Sequence, residues 1–165
     1  MRVYIASMFS DKDRIVRFGK ELEAVGIECT SRWAYETVPH NSEMKDVPDE
    51  YHRETARVDL IDVLTSNVFV EIVPSSDMLV ASTVASASRG GRHFEMGLFY
   101  GNMLSETGNY GYTNRELLVI GKKENIFHHL DGTGVTSDFP AIKHFAAWEN
   151  VYEYLTKKFS EEKNG

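Results

Sequence analysis

Residues 57–73 read RVDLIDVLTSNVFVEIV, and within that stretch the hydrophobic period changes. Through Val58, Ile61 and Leu64 the apolar residues recur every three positions, as along one side of a helix. From Asn67 to Val73 (NVFVEIV) almost every residue is apolar, the pattern of a strand covered on both faces. A helix over Pro48 to Asn67 that runs straight into such a strand belongs to a parallel sheet with helices on either side.

The alternation repeats before and after it. Arg2 to Ser7 predicts a first strand, and Ser10 is a good N-cap for a helix whose Ile15, Phe18, Leu22 and Val25 recur before Gly26. Ile27 to Ser31 predicts a second strand, and Arg32 to Pro48, with Trp33, Tyr35, Pro39 and Asn41, a long loop carrying aromatic residues. Pro74 to Gly90 reads as a Ser/Ala-rich loop, followed from about Gly91 by a helix carrying Phe94, Leu98 and Met103 inward. Glu116 to Gly121 and Ile142 to Phe145 read as the last strands, and Trp148, Val151, Tyr152, Leu155 and Phe159 line one side of a closing helix. The expected fold is α/β: a single domain over 1–165 in three layers, with a doubly wound sheet of about five mostly parallel strands, flavodoxin-like or Rossmann-like. In such a sheet ligands bind beyond the carboxyl ends of the strands. Ala6–Phe9, Pro74–Arg92 and the residues after Gly121 would meet there.

A chain of 165 residues can bury a full core without staples. With 42% apolar and 26% charged residues it is ordinary globular composition, and its net charge of −7 argues against a nucleic-acid polymer or an anionic membrane as partner. One cysteine, Cys29, and a brief apolar run at the start fit a soluble, cytoplasmic protein. Neither GxGxxG nor GxxxxGK[ST] occurs, no Cys/His cluster has zinc spacing, and His128 and His129 are adjacent, a poor metal pair. Neither a metal nor a cofactor is expected.

The segment Ser88-Arg89-Gly90-Gly91-Arg92-His93-Phe94-Glu95-Met96-Gly97 carries the most chemistry. Its glycines permit close backbone approach, and a helix start offers free N–H groups. Glu95, read in the first helical turn, would be held ionised by the dipole, as a nucleophile at an anomeric carbon requires. Asp59 and Asp62, three apart, share one helical face, with Arg53 and Arg57 close enough in sequence to neutralise them. Phe9, Trp33 and Tyr35 could stack on a base.

Three segments together resemble the nucleoside 2-deoxyribosyltransferase family, with its deoxynucleotide and CMP N-glycosidase relatives: VYIASMF, RVDLIDVLTSNVFVEIV, and GGRHFEMGLFYG followed by ELLVIG. The resemblance implies that Glu95 attacks C1′ of the sugar and that Asp59, or less directly Asp62, orients the sugar or handles a proton. Tyr4, Ala6 and Phe9 would then stand near the base. Arg89 stands where many family members have an acid or a serine. With Arg92, and beside Ser88, Gly90, Gly91 and His93, it would favour a phosphate. The implied activity is cleavage of an N-glycosidic bond through a glycosyl-Glu95 intermediate, the 2-deoxyribosyl group passing to another base. Two alternatives are a nucleoside 5′-monophosphate N-glycosidase using water, and a noncatalytic nucleotide-binding module. The family analogy also implies a homo-oligomer, with Phe99–Tyr100 and Tyr110–Tyr112 as candidate contact residues.

Overall fold

The computed structural model describes residues 1–36, 47–74, 89–110, 113–131 and 139–164. Its strands are β1 (Arg2–Ala6), β2 (Glu28–Cys29), β3 (Val68–Ile72), β4 (Glu116–Ile120) and β5 (Ile142–Phe145). They form one sheet in the order β2-β1-β3-β4-β5, every pair parallel. The helices are α1 (Lys12–Ala24), α2 (Asp49–Thr65), α3 (Arg89–Tyr110) and α4 (Trp148–Asn164). This is the expected three-layer α/β fold. The order reverses between β1 and β3, so their carboxyl ends flank the crevice where such sheets bind ligands.

Aromatic packing assigns the layers. Phe18 of α1 stacks on Trp148 of α4 at 4.1 Å, which holds these helices on one face. On the other, Tyr4 lies 5.5 Å from Phe69, which lies 5.4 Å from Phe99 of α3, and α2 packs beside α3. Every residue of β3 is buried, as its apolar run requires. Phe99 is therefore core, and its expected place in a subunit contact is corrected. Tyr100 is half-buried and donates its hydroxyl to the Pro140 carbonyl, while Gly111 and Tyr112 lie outside the described residues.

Several local expectations are displaced. β2 is two residues long rather than five. A 3₁₀ turn, Phe9–Asp11, precedes α1, so Ser10 is not its cap. The Asp11 carboxylate turns instead to the Ser7 hydroxyl and Arg14, both at 2.7 Å. Phe94 points outward at 63% exposure, and Met96, Phe99 and Met103 fill the inner side of α3. On α2 the inner side is Thr55, Asp62 and Val63, while Ile61 and Leu64 are more than a third exposed. A three-residue apolar spacing marks a side of a helix without saying which side faces in.

Among the described residues no helix is long and apolar enough to cross a membrane. Gly121, at the end of β4, has φ +107°, and a Cβ there would sit 3.1 Å from the Val73 carbonyl oxygen. Gly121→Ala should cost about 1–3 kcal/mol, read from the urea midpoint. An unchanged midpoint would show that this turn relaxes freely.

Candidate active site

The candidate site lies on the α2/α3 face, around Tyr4 in the middle of β1. Tyr4 of β1 pairs in register with Phe69 and is fully buried. Its hydroxyl makes no hydrogen bond of good geometry, yet it stands close enough to the Glu95 carboxylate to act on it as a donor. Burial first, then the charges of Glu95 and Asp59, push the Tyr4 phenol well above its ordinary pKa, so it remains a donor. α2 contributes Asp59, whose charge reaches both Tyr4 and Arg32.

Glu95 is the seventh residue of α3, in its second turn, so the expected hold of the helix N-terminus on its charge is corrected. Although the residue keeps some exposed surface, desolvation of its carboxylate is the largest influence and raises its pKa to about 7. Tyr4 and the positive charge of Arg92 pull it down, and the negative charge of Glu71 pushes it up. At neutral pH the group is therefore poised between its two forms. A carboxylate so placed suits proton transfer or nucleophilic attack.

The two aspartates of α2 are separated by their partners. Asp62 is buried and accepts from Arg32 Nη2 at 2.6 Å and Nε at 2.9 Å, a fork that commits its carboxylate. Its charge still reaches Tyr4, more weakly than that of Asp59. Of the arginines expected to neutralise Glu54, Asp59 and Asp62, Arg57 pairs with Glu54 on the outer surface at 2.7 Å. The sequence marks Arg32 only as the start of a loop; its pairing with Asp62 comes from its 3₁₀ turn, Arg32–Tyr35, packing on α2.

Arg92 and His93 also depart from expectation. The Arg92 guanidinium is buried: Nε lies 3.0 Å from Glu71 Oε1, Nη1 donates to the Ile72 carbonyl at 3.0 Å, and Nη2 donates to Glu124 at 2.5 Å. The Glu71 contact is an ion pair rather than a well-angled hydrogen bond. Its donors are thus turned inward, away from the place a phosphate was expected, and its charge acts on Glu95. His93, two positions from Glu95 and so about 200° around the helix, lies on the other flank beside Asn125 and Glu124. It lines an apolar cavity of about 310 Å³ with Met96, Tyr100 and Phe127.

Glu71 and His128 were missed as site residues. His128 Nδ1 accepts the Glu124 backbone N–H at 3.0 Å, so its proton sits on Nε2 and is donated to Glu71 at 2.9 Å. The signal for Glu71 was present, one acid inside NVFVEIV. Oxygen and nitrogen atoms of Glu71, His93 and Glu124 lie within 4.8 Å of one another, a spacing that could hold a metal ion. Arg92 contacts all three and already supplies the positive charge.

Ala6 is buried in register with Glu71, and Phe9 lies 6.5 Å from Trp33 beside the end of β1. Arg89 and Gly90 open α3, Gly91 is exposed with nothing within 4 Å of a Cβ built there, and Ser88 lies outside the described residues. A cavity of about 490 Å³, lined by Arg14, Phe18 and Trp148, lies on the α1/α4 face and includes none of the candidate residues.

Fold and site together define a doubly wound α/β protein in which two carboxylates, Glu95 and Asp59, act on a tyrosine buried between the sheet and its α2/α3 layer. Among solved structures it is similar to a 2-deoxyribosyltransferase from the psychrotolerant bacterium Bacillus psychrosaccharolyticus, with TM-score 0.57 and 14% identity, covering 93% of this chain and 92% of that one. It is also similar to a conserved protein from Enterococcus faecalis V583, with TM-score 0.52 and 12% identity over 96% and 98% of the two chains. A CMP N-glycosidase from Clostridium botulinum matches with TM-score 0.50 and 14% identity over 94% and 98%. No family model and no curated protein matches by sequence. The chain has the fold of the 2-deoxyribosyltransferases, as the resemblance implied.

Proposed function

We propose that the protein cleaves the N-glycosidic bond of a nucleoside or nucleotide through a glycosyl-Glu95 intermediate and passes the 2-deoxyribosyl group to another base. The observation that carries this reading is that Glu95 and Asp59 both act on the buried hydroxyl of Tyr4, on the α2/α3 side of the sheet. The solved 2-deoxyribosyltransferase and CMP N-glycosidase, which share the fold, support it.

In the first step a Glu95 oxygen bonds to C1′ as the bond from C1′ to the base nitrogen breaks. The electron pair leaves with the base, and its nitrogen takes a proton handled by Asp59. Tyr4, held as a phenol, orients the attacking carboxylate. In the second step the nitrogen of an incoming base attacks C1′ and gives up its proton to Asp59, which restores the one passed to the departing base, while the ester to Glu95 breaks and the sugar departs with its configuration retained. Water in place of the second base makes the same chemistry a hydrolysis.

The test is incubation with a panel of deoxynucleosides and deoxynucleotides, with and without an acceptor base, analysed by chromatography. A new nucleoside is expected only with acceptor. Free base without acceptor identifies a hydrolase, and bound nucleotide with no product in either arm identifies a binding module. Because attack needs the ionised form, kcat/KM should fall about tenfold per pH unit below about 7 and level off above it. A profile flat from pH 5 to 8 would remove Glu95 from the nucleophile's role.

A further inference from the structure

Behind the proposed nucleophile is a closed set of charges that the reaction scheme leaves unused. Glu71 and the Arg92 side chain are both almost wholly buried, at 0% and 2% exposure, with their charged atoms 3.0 Å apart. Two unpaired charges at that depth would each cost several kcal/mol, so neither is held there without the other. The remaining edges are filled by Glu124 and the Ile72 carbonyl around Arg92, and by the His128 Nε2–H on Glu71. Arg92 is one helical turn before Glu95 and on nearly the same side of α3.

We infer that Glu71 and Arg92 are positioning residues for Glu95: their buried ion pair, closed by Glu124 and His128, sets the charge that Glu95 carries. The assignment of Glu95 as nucleophile rests on the proposed function. The electrostatic coupling does not.

The groups acting on Glu95 come from three elements. Tyr4 reaches it from β1, Arg92 from α3 itself and Glu71 from β3, while Asp59 on α2 acts on Tyr4. Arg92 favours the ionised carboxylate and Glu71 opposes it. Because the two are paired, their net influence depends on how completely Glu71 and Glu124 compensate the guanidinium. Neutralising either acid unmasks Arg92. Neutralising Arg92 unmasks Glu71.

Opposite displacements follow, and general damage to the fold cannot produce them. Two readouts are used on the full chain: the acid limb of kcat/KM against pH, and the carboxyl ¹³C titration of Glu95, assigned by the signal lost in Glu95→Gln. Glu71→Gln should move both midpoints down by about half to one pH unit, so that at pH 5.5 kcat/KM relative to its plateau rises about three- to tenfold. Glu124→Gln should move them the same way by less, and Arg92→Gln should move them up. Glu124 keeps some solvent contact, so its variant carries the test if a buried replacement does not fold. A ¹³C midpoint unmoved in folded Glu71→Gln and Glu124→Gln overturns the inference. If the wild type releases no base from any substrate while the ¹³C midpoints still move, the coupling stands and the proposed function falls.

Discussion

Glu95→Gln should reduce base release by at least about 10⁴-fold, because the covalent intermediate cannot form without an ionised oxygen at that position. The same substitution should stabilise the protein above neutral pH. The folded carboxyl has a pKa of about 7 against an ordinary 4.5, so between those values the folded state binds more protons than the unfolded chain. Stability is therefore lost as pH rises through that window, and the whole cost is present above 7. An uncharged amide of the same shape removes it, and Glu95→Gln at pH 8 should be about 1–3 kcal/mol more stable than wild type by denaturant unfolding, with little difference near pH 4. Loss of activity with a rise in alkaline stability is the combination expected of a desolvated functional carboxylate. A variant that keeps wild-type turnover contradicts the mechanism. One that is inactive and less stable at pH 8 contradicts the account of the carboxyl's surroundings.

The second large effect separates two acids that the sequence presents as near equals. Asp59→Asn should lower kcat by about 10²–10⁴-fold with a small change in stability, since Asp59 is proposed to handle the proton of the departing base. Asp62→Asn acts on the fold. It leaves a buried amide under a guanidinium that needs a carboxylate, and should cost about 1–3 kcal/mol while activity, measured well below the melting temperature, falls far less. Arg32 is 57% exposed and can rehydrate when its partner is lost, which keeps this figure below that for a fully buried pair. The reverse pattern, with Asp62 controlling turnover and Asp59 stability, would exchange their roles.

These two acids also mark where reading the chain succeeds and where it stops. The spacing of Asp59 and Asp62 places them on one helical face, but the apolar residues Val58, Ile61 and Leu64 point to a different inner side from the one that packs. The packed helix turns Asp62 inward and leaves Ile61 and Leu64 more than a third exposed. Arg89, Arg92 and His93 show the opposite limit: adjacent in sequence, they look like one cationic cradle. On the helix Arg92 turns into the sheet, and His93 meets it over Glu124 beside Asn125.

Local pattern alone determined the order of strands and helices, the burial of β3 and the doubly wound class, because periods of about two and 3.6 residues and unbroken apolar runs are properties of neighbouring side chains. Only the packed chain decided that Arg32 takes Asp62, across 30 positions, and that Arg92 reaches Glu124, across 32. It also decided that Glu95 stands in the second turn of α3 with its proton affinity raised by burial. Desolvation and ion pairing depend on which distant segments the topology brings within a few ångströms, and no window along the sequence contains both partners.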